Sequence, residues 1–274
     1  MSNTNFKIPK LFKEDDNAYF SRGAIYFFNH KKLVTSASFF KAVFDTDLYH
    51  VLKVGIKKPD DDLQKIFDLG SAFHCFILEP NHFLDRYYVS DYKKIEDDKI
   101  YINSKDFEFI QEVYKAIEIK FPWILEEFEH NELTLTCEFD GVPYKCKMDK
   151  VMIRDGKYII LDLKSVFFDL YSKRLSRDSD GFLWKLSKEL KNLNYDLQSY
   201  CYYKAFKIYL ESEGTTADVE FQFLLASKDT FDVKLVAVGA ETLQSGKDKF
   251  DYVFSQVKSF YDFGYEKVEY KEYV

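Results

Sequence analysis

Apolar residues recur at helical spacing through the N-terminal part of the chain and alternate through its middle. From Phe39 to Lys53 they stand at positions 39, 40, 43, 44, 48, 51 and 52, with Ser36-Ala37-Ser38 ahead. That spacing behind a serine cap predicts one helix. A second helix is predicted over Asp61–Leu78, after Lys57-Lys58-Pro59. It carries Leu63, Ile66, Phe67, Ala72, Phe73, Phe76 and Ile77 and ends before Pro80. A third runs from about Ser104 to Lys120 and is stopped by Pro122.

The period then changes. Leu133–Phe139, Val142–Arg154 and Lys157–Val166 are β-type runs separated by Asp140-Gly141 and Asp155-Gly156. Asp-Gly between such runs is a strong hairpin signal, because both turn residues must take a positive φ. The three runs therefore predict an antiparallel meander. A long helix over about 181–211, a hairpin of Val219–Ala226 and Phe231–Val238, and a last helix over about 242–263 complete the pattern. The fold class is α/β, a mixed sheet flanked by helices. With neither an internal repeat nor a Ser/Gly/Pro linker visible, one domain is expected over 1–274. Its first part, 1–130, is mainly helical, and 131–274 forms a sheet-and-helix core.

Composition adds two constraints. At 46% apolar and 31% charged, 274 residues can bury a sizeable core and are not disordered by composition. Aromatic residues reach 19%, which fits either an aromatic-rich core or a surface on which bases stack. Four well-separated cysteines, Cys75, Cys137, Cys146 and Cys201, form neither a disulfide framework nor a zinc signature. No apolar run approaches the roughly 18 residues of a membrane span, and the N-terminus lacks a signal-peptide apolar stretch. A cytoplasmic protein without membrane contact is expected.

Net charge is −7, which disfavours wrapping nucleic acid by charge alone. Between Gly141 and Lys191, however, 12 Lys and Arg stand against 7 Asp and Glu. The basic excess coincides with a cluster of chemistry-bearing residues. With Asp155-Gly156 as a two-residue loop, paired positions in the second hairpin place Asp149 opposite Asp162. Alternation then puts 145, 147, 149 and 151 on one strand face and 158, 160, 162 and 164 on the other strand's matching face, so Lys147 and Lys164 project with the two acids. Opposed carboxylates with Cβ atoms about 5 Å apart repel. A divalent cation removes that conflict; two solvated acids on an exposed strand would also be consistent with the pattern.

Four motifs in order carry a family resemblance. They are Gly70-Ser71-Ala72-Phe73-His74 with the following Leu78-Glu79-Pro80, Lys147-Met148-Asp149, Asp162-Leu163-Lys164-Ser165, and Gln198-Ser199-Tyr200-Cys201-Tyr202. Over roughly residues 36–263 the chain resembles a PD-(D/E)XK nuclease of the exonuclease VIII, lambda exonuclease and RecB nuclease-domain branch, whose core is restriction-endonuclease-like. The first acidic motif is Met-Asp rather than Pro-Asp.

The resemblance implies His74, Asp149 and Asp162 as metal ligands, completed by the Leu163 carbonyl, with Asp149, Asp162 and Lys164 catalytic. It implies Mg²⁺, with Mn²⁺ able to substitute, and no iron–sulfur cluster. Gln198 and Tyr202, at i and i+4 on one helix face, would contact DNA, as would Ser165. Ser36, Ser38 and Lys41 sit where relatives grip a terminal 5′-phosphate, although a helix cap explains the serines equally. Lys173 and Arg174 lie in a charged stretch, 166–194, that reads either as a DNA-contacting loop or as a solvated insertion. The implied activity is exonucleolytic hydrolysis of linear duplex DNA, 5′→3′, in phage-type recombination or DNA processing, by a homo-oligomer working with a single-strand annealing protein. The rivals are a non-catalytic binding module on the same scaffold and a structure-specific endonuclease.

Overall fold

The computed structural model describes residues 35–54, 60–92, 98–126, 131–166, 170, 186–188 and 190–263. A five-stranded sheet is the organising element, built from β3 (Asn131–Phe139), β4 (Val142–Arg154), β5 (Lys157–Val166), β6 (Val219–Ser227) and β7 (Val233–Ala237) in that spatial order. The β3–β4–β5 meander is antiparallel, β5 pairs with β6 in parallel, and β6–β7 closes as an antiparallel hairpin. Both Asp-Gly turns take the expected backbone, with positive φ at Asp140, Gly141, Asp155 and Gly156.

Alternation along β5 divides the core. Tyr158 and Ile160 face a layer made by α1 (Ala37–Asp45), α2 (Leu48–Val54), α6 (Tyr195–Ser212) and α7 (Ala240–Phe263). Ile159, Leu161 and Leu163 face a second layer, made chiefly by α3 (Asp61–Leu78) and α5 (Ser104–Lys120). A sheet between helical layers is a stable way to bury both of its faces. Side chains cap these helices: Ser36 accepts from the Phe39 N–H, Asp60 from Leu63 and Asn103 from Asp106.

Several elements depart from expectation. The first predicted helix is two, α1 and α2, divided at Thr46-Asp47, where the Thr46 hydroxyl caps the Ala42 carbonyl and Asp47 accepts the His50 N–H. The long predicted helix is likewise interrupted: a turn at Leu193-Asn194, with Asn194 left-handed at φ 52°, precedes α6. Its expected beginning lies outside the described residues. Two short strands, β1 (Tyr87–Val89) and β2 (Ile100–Ile102), pair in parallel and had no sequence signal; α4 (Phe83–Arg86) precedes them. The first two turns of α3 stand clear, with Leu63, Ile66 and Phe67 exposed.

The strict face assignment on β4 also fails. Tyr144, Cys146 and Met148 line the α1–α6–α7 layer, and so does Val151, three residues after Met148. Two-residue alternation is thus broken across Asp149-Lys150, and 145, 147, 149 and 151 do not share one face.

Candidate metal centre and its lysine

The break in β4 lies at the acids. The β4–β5 register is as the turn arithmetic requires, but its ladder ends at Lys150↔Leu161, one position short of Asp149 and Asp162. The β3–β4 ladder passes from Asn131↔Lys150 to Leu133↔Met148 and skips Glu132, which stands opposite Asp149 at φ 56°. Glu132, Asp149 and Asp162 therefore form a row across three adjacent strands where pairing opens. Opening frees backbone groups, and Asp149 Oδ2 takes up one of them, accepting the Leu163 N–H at 2.7 Å.

Each acid in the row has its own cation. Lys147 Nζ lies 2.6 Å from Glu132 Oε2, His74 Nδ1 lies 3.3 Å from Asp149 Oδ1, and Lys164 Nζ pairs with Asp162 Oδ2. Three carboxylates so close would otherwise repel, and they are far from solvated surface acids: Asp149 and Asp162 are 8% and 2% exposed. Lys147 and Lys164, expected to project together, serve different acids.

His74 reaches this row from α3. Its Nε2 lies 2.9 Å from the Leu163 carbonyl oxygen while Nδ1 faces Asp149. Burial disfavours its charge, yet the Asp149 carboxylate overrides burial and lifts the imidazole to about 9. Protonated at both nitrogens, the ring donates to both partners. Burial likewise works to raise Asp149, but His74, Lys164 and the Leu163 N–H together hold its carboxyl below the ordinary value. Asp162 goes the other way: burial and the Asp149 charge outweigh Lys164, and its carboxyl is raised. Burial and Asp149 also raise Glu132. Burial opposes the Lys164 charge, but Asp162 more than compensates and the ammonium is held above its usual value.

Side chains from α6 and α1 reach the acids from behind. Gln198 Nε2 donates to Asp162 Oδ1 at 2.8 Å, and Gln198 Oε1 accepts from Lys41 Nζ at 2.9 Å. A carboxylate can only accept, so Asp162 takes the Gln198 NH₂ and the amide oxygen is left facing Lys41. Burial, then the neighbouring Lys164 charge, lowers Lys41 to about 7. The Lys41 and Lys164 ammoniums lie 4.5 and 5.0 Å from the centroid of the Tyr195 ring.

The structure thus brings together His74, Asp149, Asp162, Leu163, Lys164, Gln198 and Lys41. Tyr202, one turn beyond Gln198, packs near Phe221. Ser165 continues β5 opposite Ala226, Ser36 caps α1 and Ser38 is exposed on its first turn. Lys173 and Arg174 lie outside the described residues. Sequence reasoning missed Glu132 and Tyr195. The first of these had a signal: with Asp140-Gly141 as a two-residue loop, the same arithmetic that places Asp162 opposite Asp149 places Glu132 opposite it on the other side.

His74, Glu132 and Asp149 each offer a ligand atom, all within 4.8 Å of one another. One imidazole with two carboxylates suits a divalent cation, and a cation there would meet the crowding that the row creates. The profile of the family described as "PDDEXK-like domain of unknown function (DUF3799)" matches residues 36–264. The chain belongs to this family. No curated protein matches it. The crystal structure of a protein described as a "Putative exonuclease" from Eubacterium rectale superposes with a TM-score of 0.58 at 14% identity, covering 96% of each chain. That likeness is one of fold. The mixed sheet between helical layers is the architecture expected for a PDDEXK-like domain, and the acid row lies where β4 and β5 of this domain part. Among the described residues no helix is long and apolar enough to cross a membrane.

Proposed function

We propose that the protein is a Mg²⁺-dependent deoxyribonuclease that degrades linear double-stranded DNA from its ends. One observation carries the reading: Asp149 and Asp162 flank an opening between β4 and β5, with His74 on one and Lys164 on the other. Structural acids would gain nothing from being buried in a row. Metal-assisted hydrolysis of a phosphodiester uses such a row to hold a cation, and a fixed positive charge beside the developing phosphorane.

His74, Glu132, Asp149, Asp162 and the Leu163 carbonyl would hold Mg²⁺, with Mn²⁺ able to replace it. When bound, the ion supplies Lewis acidity toward a phosphate oxygen. Lys164 offers its ammonium to the attacking water and to the charge that accumulates on phosphorus, and Asp162 fixes where that ammonium stands. Asp149, tied to the Leu163 N–H, keeps its other oxygen directed at the ligand set. Gln198 restrains Asp162 from α6. Tyr202, Ser165, Ser36 and Ser38 remain candidates for DNA contact. Lys173 and Arg174 would contribute phosphate contacts, so replacing both with Ala should weaken DNA binding and flatten its salt dependence.

The resemblance to the exonuclease VIII and lambda exonuclease branch supports 5′→3′ polarity, an oligomer, and a product strand passed to an annealing protein in recombination. The test is digestion of linear and covalently closed duplex in Mg²⁺ by the wild type, Asp162→Ala and Lys164→Ala. Release of acid-soluble nucleotides from the linear substrate alone, lost in both variants, is the expected result. Cleavage of closed circles would make the protein an endonuclease. Negligible activity in all three proteins would leave a binding module.

A further inference from the structure

Resting on the nuclease reading, we propose that Tyr195 and Lys41 are positioning residues for Lys164 and Asp162: the Tyr195 ring holds the Lys164 ammonium in place, and Lys41 locks the Gln198 amide that restrains Asp162. Tyr195 lies outside the Gln-x-x-x-Tyr motif, at the first residue of α6.

A lysine is a poor positioner of its own charge. Its ammonium is a point charge at the end of a four-carbon stem with several rotatable bonds, so a reaction that depends on where it stands needs external constraints. Two are present. Asp162 Oδ2 pairs with Lys164 from the same strand, two residues away. The Tyr195 ring receives the ammonium from above the sheet at 5.0 Å, within the range of a cation–π contact. A carboxylate alone lets the stem swing about it; a carboxylate and an aromatic face together define one place.

The ring is itself fixed. Tyr195 packs against Phe223, with centroids 5.9 Å apart, and Phe223 is the β6 partner of Asp162 in the β5–β6 register. The platform for Lys164 is therefore built on the residue beside the acid that Lys164 pairs with. Tyr195 is also shared, since Lys41 lies 4.5 Å from the same ring. Both amino groups lie on one ring, and each is fixed by a further acceptor. Lys164 has Asp162, and Lys41 has Gln198 Oε1. Through that second bond Lys41 leaves Gln198 only its NH₂ to offer Asp162 Oδ1. Asp162 is thereby held at both oxygens, by an amide on one and an ammonium on the other.

The experiment reads the lysines directly and then the reaction. In protein labelled with ¹³C-lysine, the ε-methylene protons of Lys41 and Lys164 should be shifted upfield by the Tyr195 ring, and Lys41→Met and Lys164→Met assign the two signals. Tyr195→Leu should abolish both shifts and Tyr195→Phe should keep them. In single-turnover digestion of linear duplex, Tyr195→Leu should lower the rate at saturating DNA by about tenfold, the scale of one lost ring–cation contact. DNA affinity should be unchanged, and Tyr195→Phe should restore the rate. Unshifted lysine signals in the wild type would overturn the proposal even if DNA is cut, and so would equal rates for the Leu and Phe variants. Shifted signals without any hydrolysis by the wild type would instead remove the nuclease reading while supporting the clamp on Lys164.

Discussion

Asp149 on β4 accepts the backbone N–H of Leu163 on β5 at 2.7 Å, so the strand bearing the second acidic motif is tied to the side chain of the first. The bond replaces the ladder pairing that stops one position earlier, and it orients Asp149 Oδ1 toward His74. An asparagine can still accept that N–H through its amide oxygen; an alanine cannot. Asp149→Asn and Asp149→Ala should both lose nuclease activity, since neither carries the charge. In urea unfolding with EDTA, however, the Ala variant should be less stable than the Asn variant by about 1–3 kcal/mol, the cost of leaving a buried donor unsatisfied. Equal midpoints would show that the bond is dispensable to the fold.

His74 makes metal binding a competition with protons. In the metal-free protein its imidazole is raised to about 9 because Asp149 outweighs the burial that opposes the charge. A raised histidine contributes stability that is fully present below its unfolded value near 6.5 and is lost as pH climbs through 9. Between those limits the native state holds more protons than the unfolded one, so stability in EDTA should fall with rising pH, by about 3 kcal/mol in all. Mg²⁺ or Mn²⁺ binding through His74 must expel that proton. The increase in melting temperature produced by metal should therefore grow from pH 6.5 to 9, and His74→Asn should flatten the trend. A metal effect independent of pH in the wild type would place the ion away from His74.

Gly246 lies within α7, where an alanine would ordinarily help by about 1 kcal/mol. Here a Cβ would stand 2.1 Å from the Asp196 carbonyl oxygen, a backbone atom at the start of α6. Backbone cannot turn aside as a flexible side chain can, so α6 or α7 must shift. Gly246→Ala should destabilise by about 1–3 kcal/mol. It should also slow catalysis, because α6 carries Gln198 and Tyr195. A melting temperature at or above that of the wild type would show that the helices separate freely at this contact.

The layout of the site was readable wherever a local rule fixed geometry. Asp-Gly turns set the meander's register, and register alone brought Asp149 to the edge of Asp162. The spacing of Gln198 and Tyr202 put both on one face of α6, but they stand a turn apart along its axis, so Gln198 bonds Asp162 while Tyr202 packs near Phe221. What escaped depended on departures from regularity. Glu132 takes a left-handed backbone inside a strand, which glutamate has no intrinsic reason to adopt. The face change at Asp149-Lys150 leaves no mark in a β-type run. Lys41 and Tyr195 lie 154 positions apart, and nothing in either neighbourhood announces that they meet at one ring.

The start of α6 is held by a buried knot whose removal should be costly in a diagnostic way. Asp196 is fully buried. Its Oδ1 accepts from Lys249 Nζ at 2.9 Å and its Oδ2 from the Ser245 hydroxyl at 2.6 Å, both from α7. Lys249 also donates to Asn194 Oδ1 at 2.7 Å and to the Lys191 carbonyl at 2.9 Å, closing the left-handed turn that precedes the helix. Asn194 in turn donates to Asp45 Oδ1 on α1 at 2.7 Å, so α1, α6 and α7 meet here. Lys249→Met leaves a buried carboxylate without its cation and should cost about 3–5 kcal/mol. Asp196→Asn added to it removes the stranded charge while keeping an acceptor for Ser245, so the double variant should be more stable than Lys249→Met alone. A double-mutant cycle in urea checks this. Additive losses would mean that the two groups act independently, and the orientation of Gln198 and Tyr195 would then have to come from packing against β6 alone.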